Sequence, residues 1–271
     1  MAADPLYRLL AWLSPAYPIG AFSYSHGVET AVEEGLIRDR ASLVTWLETV
    51  LRDGTGRVDG ALFAAAWRAA EARDWPAFEA IAERAAAWRG TSEMALESRQ
   101  QGGSFLSITR TAWPHPSFDA VPSELALPVA VALATAAHGI PLDWALTAYL
   151  HAFVANLISA AVRSVPLGQS DGQIALAALE SAVHATAEAA IAVTDLDEVG
   201  TATPLLDWCS LPTTRQAMHL GLGVTVLDDA TGTINLSDDL PAELVHRVEL
   251  GVLGDGFATV TSTHEWTSSL V

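Results

Sequence analysis

The 271 residues are 51% hydrophobic and 17% charged, with a formal net charge of -18, so the chain can bury a substantial core and is not a disordered polyampholyte. All 14 basic residues are arginine, which excludes a Schiff-base lysine, a pyridoxal phosphate lysine and a Walker A lysine, and the strong acidity argues against a nucleic-acid partner. Cys209 is the only cysteine, so a disulfide within the chain, a thiolate zinc cluster and a CxxC redox pair are excluded, and a cytoplasmic location is expected.

Met1-Ala-Ala-Asp-Pro5 has an acid where a secretory signal has basic residues, and the apolar run from Leu9 to Leu13 is short, so export is not expected. A short helix is read from Leu6 to Leu13. It is halted by Ser14, Pro15, Pro18 and Gly20, which impose a rigid non-helical path. Phe22, Ser23, Tyr24, Ser25 and His26 crowd the start of the next helix, which runs to about Glu34. Ser25 and His26 are adjacent, so on a helix they point about 100° apart, and no acid is placed to orient the histidine. Nucleophilic catalysis is therefore disfavoured against capping or partner contact.

Gly35 closes that helix. Asp39 or Ser42 opens the next, with Leu43, Trp46, Leu47, Val50 and Leu51 on one face. Ala-rich helices are then read from about Val58 to Arg73 and from Trp75 to Arg89, the latter capped by Asp74, with Pro76 in its first turn. Their short connections suit an antiparallel bundle. Thr91 or Ser92 caps a further helix that contains Gly102 and Gly103, a pair that costs about 1 kcal/mol per residue unless a backbone approaches closely or the helix kinks. Trp113 to Pro122 reads as an irregular loop, and Leu125 to His138 as an apolar helix ended by Gly139.

The most informative stretch runs from Trp144 to Gln173. From Trp144 to Val162 there is no Gly, Pro or full charge, and Leu146, Tyr149, Leu150, Phe153, Leu157, Ile158 and Ala161 recur at helical spacing. Such a helix is either buried or spans a membrane. Asn156, Ser159 and Arg163 form a polar stripe along it, and its exit lacks the cluster of basic residues and the aromatic belt of a membrane boundary, so a central helix in a bundle is the expected form. Pro166 stops it, Gly168 and Gly172 permit tight turns, and Ser170 or Asp171 is expected to cap a long helix from Ile174 to Val193.

Two long segments carry a family resemblance. Ser14-Pro-Ala-Tyr-Pro-Ile-Gly-Ala-Phe-Ser-Tyr-Ser-His-Gly-Val-Glu29 and Asn156-Leu-Ile-Ser-Ala-Ala-Val-Arg163, continued by Val165-Pro-Leu-Gly-Gln-Ser-Asp-Gly-Gln173, resemble motifs of the UreF family of urease accessory proteins. The resemblance spans roughly Leu9 to Pro204. It implies an all-helical, commonly dimeric protein with no catalytic activity of its own, which bridges UreD (also called UreH) to the GTPase UreG in delivering nickel to apo-urease. Nickel and GTP would then belong to the partner complex, and no cofactor to this chain. Carried over residue by residue, the partner-binding set is Ser14, Pro15, Pro18, Gly20, Phe22, Ser23, Ser25, His26, Gly27 and Glu29 in the first motif. In the second it is Asn156, Arg163, Pro166, Leu167, Gly168, Gln169, Asp171, Gly172 and Gln173. The family's usual His-Glu-containing, arginine-bearing ending, which takes part in binding UreD, is not reproduced by Leu211 to His219.

The expected architecture is all-α, an Ala-rich bundle of roughly eight to ten helices over residues 1–210, with an atypical acidic tail over 211–271. That tail is either an extension or the product of a shifted reading frame. In it, Val224 to Val226 and Thr233 to Leu236 flank Asp228 to Gly232 as a possible hairpin. Two rival functions follow from other features. One is a small helical membrane protein using Leu125 to Val162 as a hairpin. The other is a metallo-hydrolase built from His26, His138, His151 and His184. His184 and Glu188, at i and i+4, could offer two ligands from one helix face, but no third is visible.

Overall fold

The computed structural model describes residues 4–20, 27–88, 92–165, 167–199, 225–228, 242–255 and 258–268. The chain divides into two compact units, Met1–Arg52 with Gly56–Val199, and Asp53–Thr55 with Gly200–Val271.

In the first unit the described helices are α1 (Pro5–Trp12), α2 (Val28–Glu33), α3 (Arg40–Arg52), α4 (Thr55–Ala72, in this unit from Gly56 on), α5 (Trp75–Ala87), α6 (Ser92–Ala112), α7 (Leu127–Ala137), α8 (Leu142–Ser164), α9 (Gln169–Ala178) and α10 (Glu180–Ala192). Their starts follow the local sequence. Asp4 accepts the Leu6 N–H ahead of Pro5, Asp74 accepts the Ala77 N–H ahead of Pro76, and Asp39 accepts the Ser42 N–H at 2.8 Å. Each of these caps satisfies a donor that the first helical turn leaves open.

The core is built around α7 and α8. Val129 to Thr135 are all buried in α7, and α8 buries Leu146, Tyr149, Leu150, Val154, Leu157, Ile158 and Ala161. Helix α8 packs against α2, α3, α7, α9 and α10, which is why its apolar residues extend almost all round. Leu150 and Leu157 are fully buried, so truncating either to alanine costs about 2–5 kcal/mol. By length and composition α8 could cross a membrane, and half of its most apolar window is covered by neighbouring helices.

Close packing uses the small residues. Helix α6 lies along α7, and a Cβ on Gly102 would stand 2.0 Å from the Leu125 carbonyl oxygen, so the glycine pair marks a close backbone approach. A Cβ on Gly60 in α4 would meet Ala190 in α10 at 2.9 Å. Gly139, at φ +66°, turns the chain from α7 into α8, and the Trp67 indole donates to the Ile140 carbonyl at 3.1 Å across that turn. Tyr149 donates to the buried Asp59 carboxylate at 2.9 Å.

Two expectations need correction in this unit. The helix expected from Ile174 to Val193 begins at Gln169 and is two helices, α9 and α10, bent by 43° at Leu179. The bend keeps Ala175, Leu179, Val183 and Ala187 buried while both halves pack on α3 and α8. The Trp113 to Pro122 loop contains a short 3-10 turn, Pro116–Ala120, which buries Phe118.

In the second unit, β1 (Thr225–Leu227) pairs in parallel with β2 (Thr259–Thr261), Val226 opposite Val260. Helix α11 (Ala242–Gly254) lies between them in sequence, and α12 (Thr263–Ser268) follows. The first strand of the expected hairpin thus pairs with a segment beyond α11, and parallel pairing requires such a crossover. Thr233 to Leu236 lie outside the described residues. Val226 and Leu253 are buried, and His246 Nε2 lies 3.0 Å from the Asp228 carbonyl oxygen.

Candidate partner-binding site

The first motif forms a folded turn after α1. Ser14 Oγ accepts the Ala16 N–H at 3.2 Å, its carbonyl accepts the Tyr17 N–H at 2.9 Å, and the Tyr17 carbonyl accepts the Ile19 N–H. Tyr17 anchors this turn to α6. Its ring packs against Phe105 and Trp113, and its hydroxyl lies 2.9 Å from Thr109 Oγ1. Thr109 already donates to the Phe105 carbonyl, so Tyr17 is the donor in this pair, and burial raises its phenol pKa. The anchor leaves Pro15, Pro18 and Gly20 exposed, with Ser14 half-buried. Gly20 and Gly27 adopt φ +76° and +80°, the left-handed conformation that favours glycine. Phe22, Ser23, Ser25 and His26 lie outside the described residues. Glu29 is exposed on α2, next to the fully buried Val28.

The second motif is a tight corner between α8 and α9. Val165 is buried and extended, and its carbonyl accepts the Leu167 N–H. Pro166 lies outside the described residues. The N-cap of α9 is Gly168, and Asp171 sits three residues on, where its Oδ2 accepts the Gly168 N–H at 3.2 Å. The expected cap at Ser170 or Asp171 is therefore displaced by two or three residues, and Gln169, Asp171, Gly172 and Gln173 belong to the first turns of α9. Gly172 is buried against α8, where an added Cβ would come within 3.2 Å of the Ile158 and Val162 methyl groups. That contact fixes the corner angle.

Outward from the corner the surface is polar. Gln169 and Gln173 are exposed, and Leu167 is half-buried. Arg163 is exposed, and its Nη1 donates to Ser159 Oγ at 3.3 Å. A stripe requiring partners from packed neighbours was the expectation for Asn156, Ser159 and Arg163. Asn156 is half-buried, while Ser159 and Arg163 reach solvent, so the arginine on this apolar helix carries little desolvation cost. Arg40, at the start of α3, donates to Asp171 Oδ1 at 2.7 Å. Arg40 was not singled out in the sequence, because 131 residues separate it from its partner. The two motifs are linked through the core: α2, which carries Glu29, packs against α8, which carries Asn156 and Arg163.

The histidines are dispersed in role. His138 lies in an aromatic cluster with Trp12, His115 and Phe118, its Nε2 3.1 Å from the Trp113 carbonyl oxygen. Burial, with help from the positive field of Arg8, lowers its pKa to about 4. His151 and His184 are exposed on α8 and α10, as is Glu188, and His26 lies outside the described residues. Among the described residues no group of three or more His, Cys, Asp or Glu side chains is placed to hold a metal ion.

The sequence profile of the UreF family matches residues 37–180. The urease accessory protein UreF of Granulibacter bethesdensis is 49% identical over 210 residues, which cover 76% of this chain and 89% of that protein. This chain belongs to the UreF family. The urease accessory protein UreF of Bradyrhizobium diazoefficiens is 48% identical over 77% of this chain and 88% of its own length. That of Rhodopseudomonas palustris strain HaA2 is 50% identical over 76% and 88%. The UreF profile thus includes the whole α8–α9 corner and Arg40, while the Ser14 to Glu29 segment precedes it.

Proposed function

We propose that this chain acts in urease maturation as a non-enzymatic scaffold that links UreD to the GTPase UreG for nickel insertion into apo-urease. The observation that carries this reading is the 49% identity to a urease accessory protein UreF across 89% of that protein's length. Nickel and GTP are handled by the partner complex, and the scaffold contributes shape and charge. Holding a GTPase in one nucleotide state requires only that the scaffold bind that state better than the others. We read the exposed face of the two motifs, Pro15, Pro18 and Gly20 with Arg163, Gln169 and Gln173, as partner-facing or dimer-facing. The half-buried Tyr17 and the buried Gly172 anchor these segments and support a rigid surface there. The family's dimeric habit extends to this chain in the proposal, as does a cytoplasmic setting, for which the single cysteine is the support.

The test is to express a urease gene cluster lacking its own UreF with and without this chain, and to measure urease activity and bound nickel. Restoration of both supports the role. A nickel-free, inactive urease in the presence of folded, abundant protein would overturn it.

A further inference from the structure

The first helical unit carries a groove, separate from both motifs, between α5 and the segment that runs from the 3-10 turn into α7. Its volume is about 360 Å³, and its lining includes Trp75, Phe78, Ala82, Val121 and Leu125. Phe78 and Leu125 are buried at its base, Trp75, Ala82 and Val121 are half-buried, and three glutamates stand exposed at its edges. Glu79 and Glu83 lie one helical turn apart on α5, and Glu124 stands on the opposite wall. No ion pair joins any of the three to a described residue, and Arg99 is the one cation among the lining residues.

We propose that this groove is a docking site for a basic segment of a partner protein that inserts a large apolar side chain between arginine or lysine residues. Charge complementarity selects the occupant. Three carboxylates around a low-dielectric apolar floor concentrate negative potential, which attracts a cationic segment and repels nucleic acid and anionic lipid. The volume sits at the lower end of the range of about 300–1,000 Å³ for ligand pockets, enough for one large side chain to serve as anchor. The proposal does not depend on the urease role, because it rests on the groove alone.

The experiment uses the full chain and a short fluorescent amphipathic peptide of arginine and leucine, with a glutamate-leucine peptide of the same pattern as control. Binding is followed by anisotropy at two salt concentrations. Glu79→Gln with Glu83→Gln is expected to weaken the arginine peptide about fivefold or more, whereas Glu180→Gln with Glu188→Gln, on exposed α10 positions, is expected to change it less than about twofold. Ala82→Trp fills the groove without altering charge and is expected to abolish the remaining binding. Circular dichroism confirms that each variant is folded. Equal losses from the two glutamine pairs would show attraction to the overall acidity of the chain and would overturn the proposal, as would undiminished binding by a folded Ala82→Trp variant.

Discussion

Arg40 and Asp171 form a 2.7 Å ion pair that ties the start of α3 to the first turn of α9, and the same aspartate accepts the Gly168 N–H that opens α9. One side chain thus both caps a helix and locks it to a neighbour. The pair is well exposed, so its Coulomb energy is small in water. We expect Arg40→Ala to cost less than about 1 kcal/mol, and Asp171→Ala about 1–2 kcal/mol, because only the second also removes the cap. Denaturant unfolding of the two variants and the double variant checks this ordering.

Gly102 and Gly103 give a sharper contrast. Alanine at 102 would drive its methyl group into the Leu125 carbonyl, and separating α6 from the start of α7 would disrupt their shared core, at a cost of about 3 kcal/mol or more. At 103 the nearest atom, the Ser123 carbonyl oxygen, stands at an ordinary 3.6 Å. Gly103→Ala is therefore expected to be neutral or to stabilise by up to about 1 kcal/mol through helix propensity. Thermal midpoints of the two variants should move in opposite directions or differ severalfold.

His138 makes the fold acid-sensitive. Its folded pKa, about 4, lies below the ordinary value near 6.5, so between those values the unfolded chain binds the extra proton. Stability from this group is complete above about pH 6.5 and is lost as pH falls toward 4. His138→Phe keeps a ring among Trp12, His115 and Phe118 and removes the titration. The difference in thermal midpoint between pH 7 and pH 5 should be smaller in His138→Phe than in the parent protein, and an unchanged difference would contradict the assignment.

Arg163 separates stability from binding. Its guanidinium is exposed, so Arg163→Ala is expected to shift the unfolding free energy by about 1 kcal/mol or less. If the corner faces a partner, the same variant should reduce urease activation. Unchanged stability together with unchanged activation would remove Arg163 from the partner surface.

Much of this architecture is legible in the sequence because its signals are local. Residues apolar on nearly every side mark α7 and α8, Asp74 with Pro76 marks the start of α5, and Gly102 with Gly103 announces a close approach. The break at Leu179 is not legible, since Gln173 to Ala192 contains no helix breaker. It is decided by burial against α3 and α8. The short strand at Thr225 to Leu227 says nothing about its partner, so a hairpin with the next strand-like segment was the natural expectation, yet the pairing runs past α11. Arg40 was invisible as a site residue because only the tertiary fold brings it to Asp171. The two motifs, by contrast, could be read as surfaces held by anchors on the helices beneath them once Tyr17 and Gly172 were placed.

The central claim is that this chain joins UreD and UreG in one assembly. Co-expression of the three proteins from the same source, purification through a tag on UreD, and measurement of mass and composition by size-exclusion chromatography with light scattering address it directly. The account predicts that UreG is retained on UreD only when this chain is present, and that all three elute together in fixed proportion. Retention of UreG without this chain, or a folded chain that associates with neither partner, would contradict it.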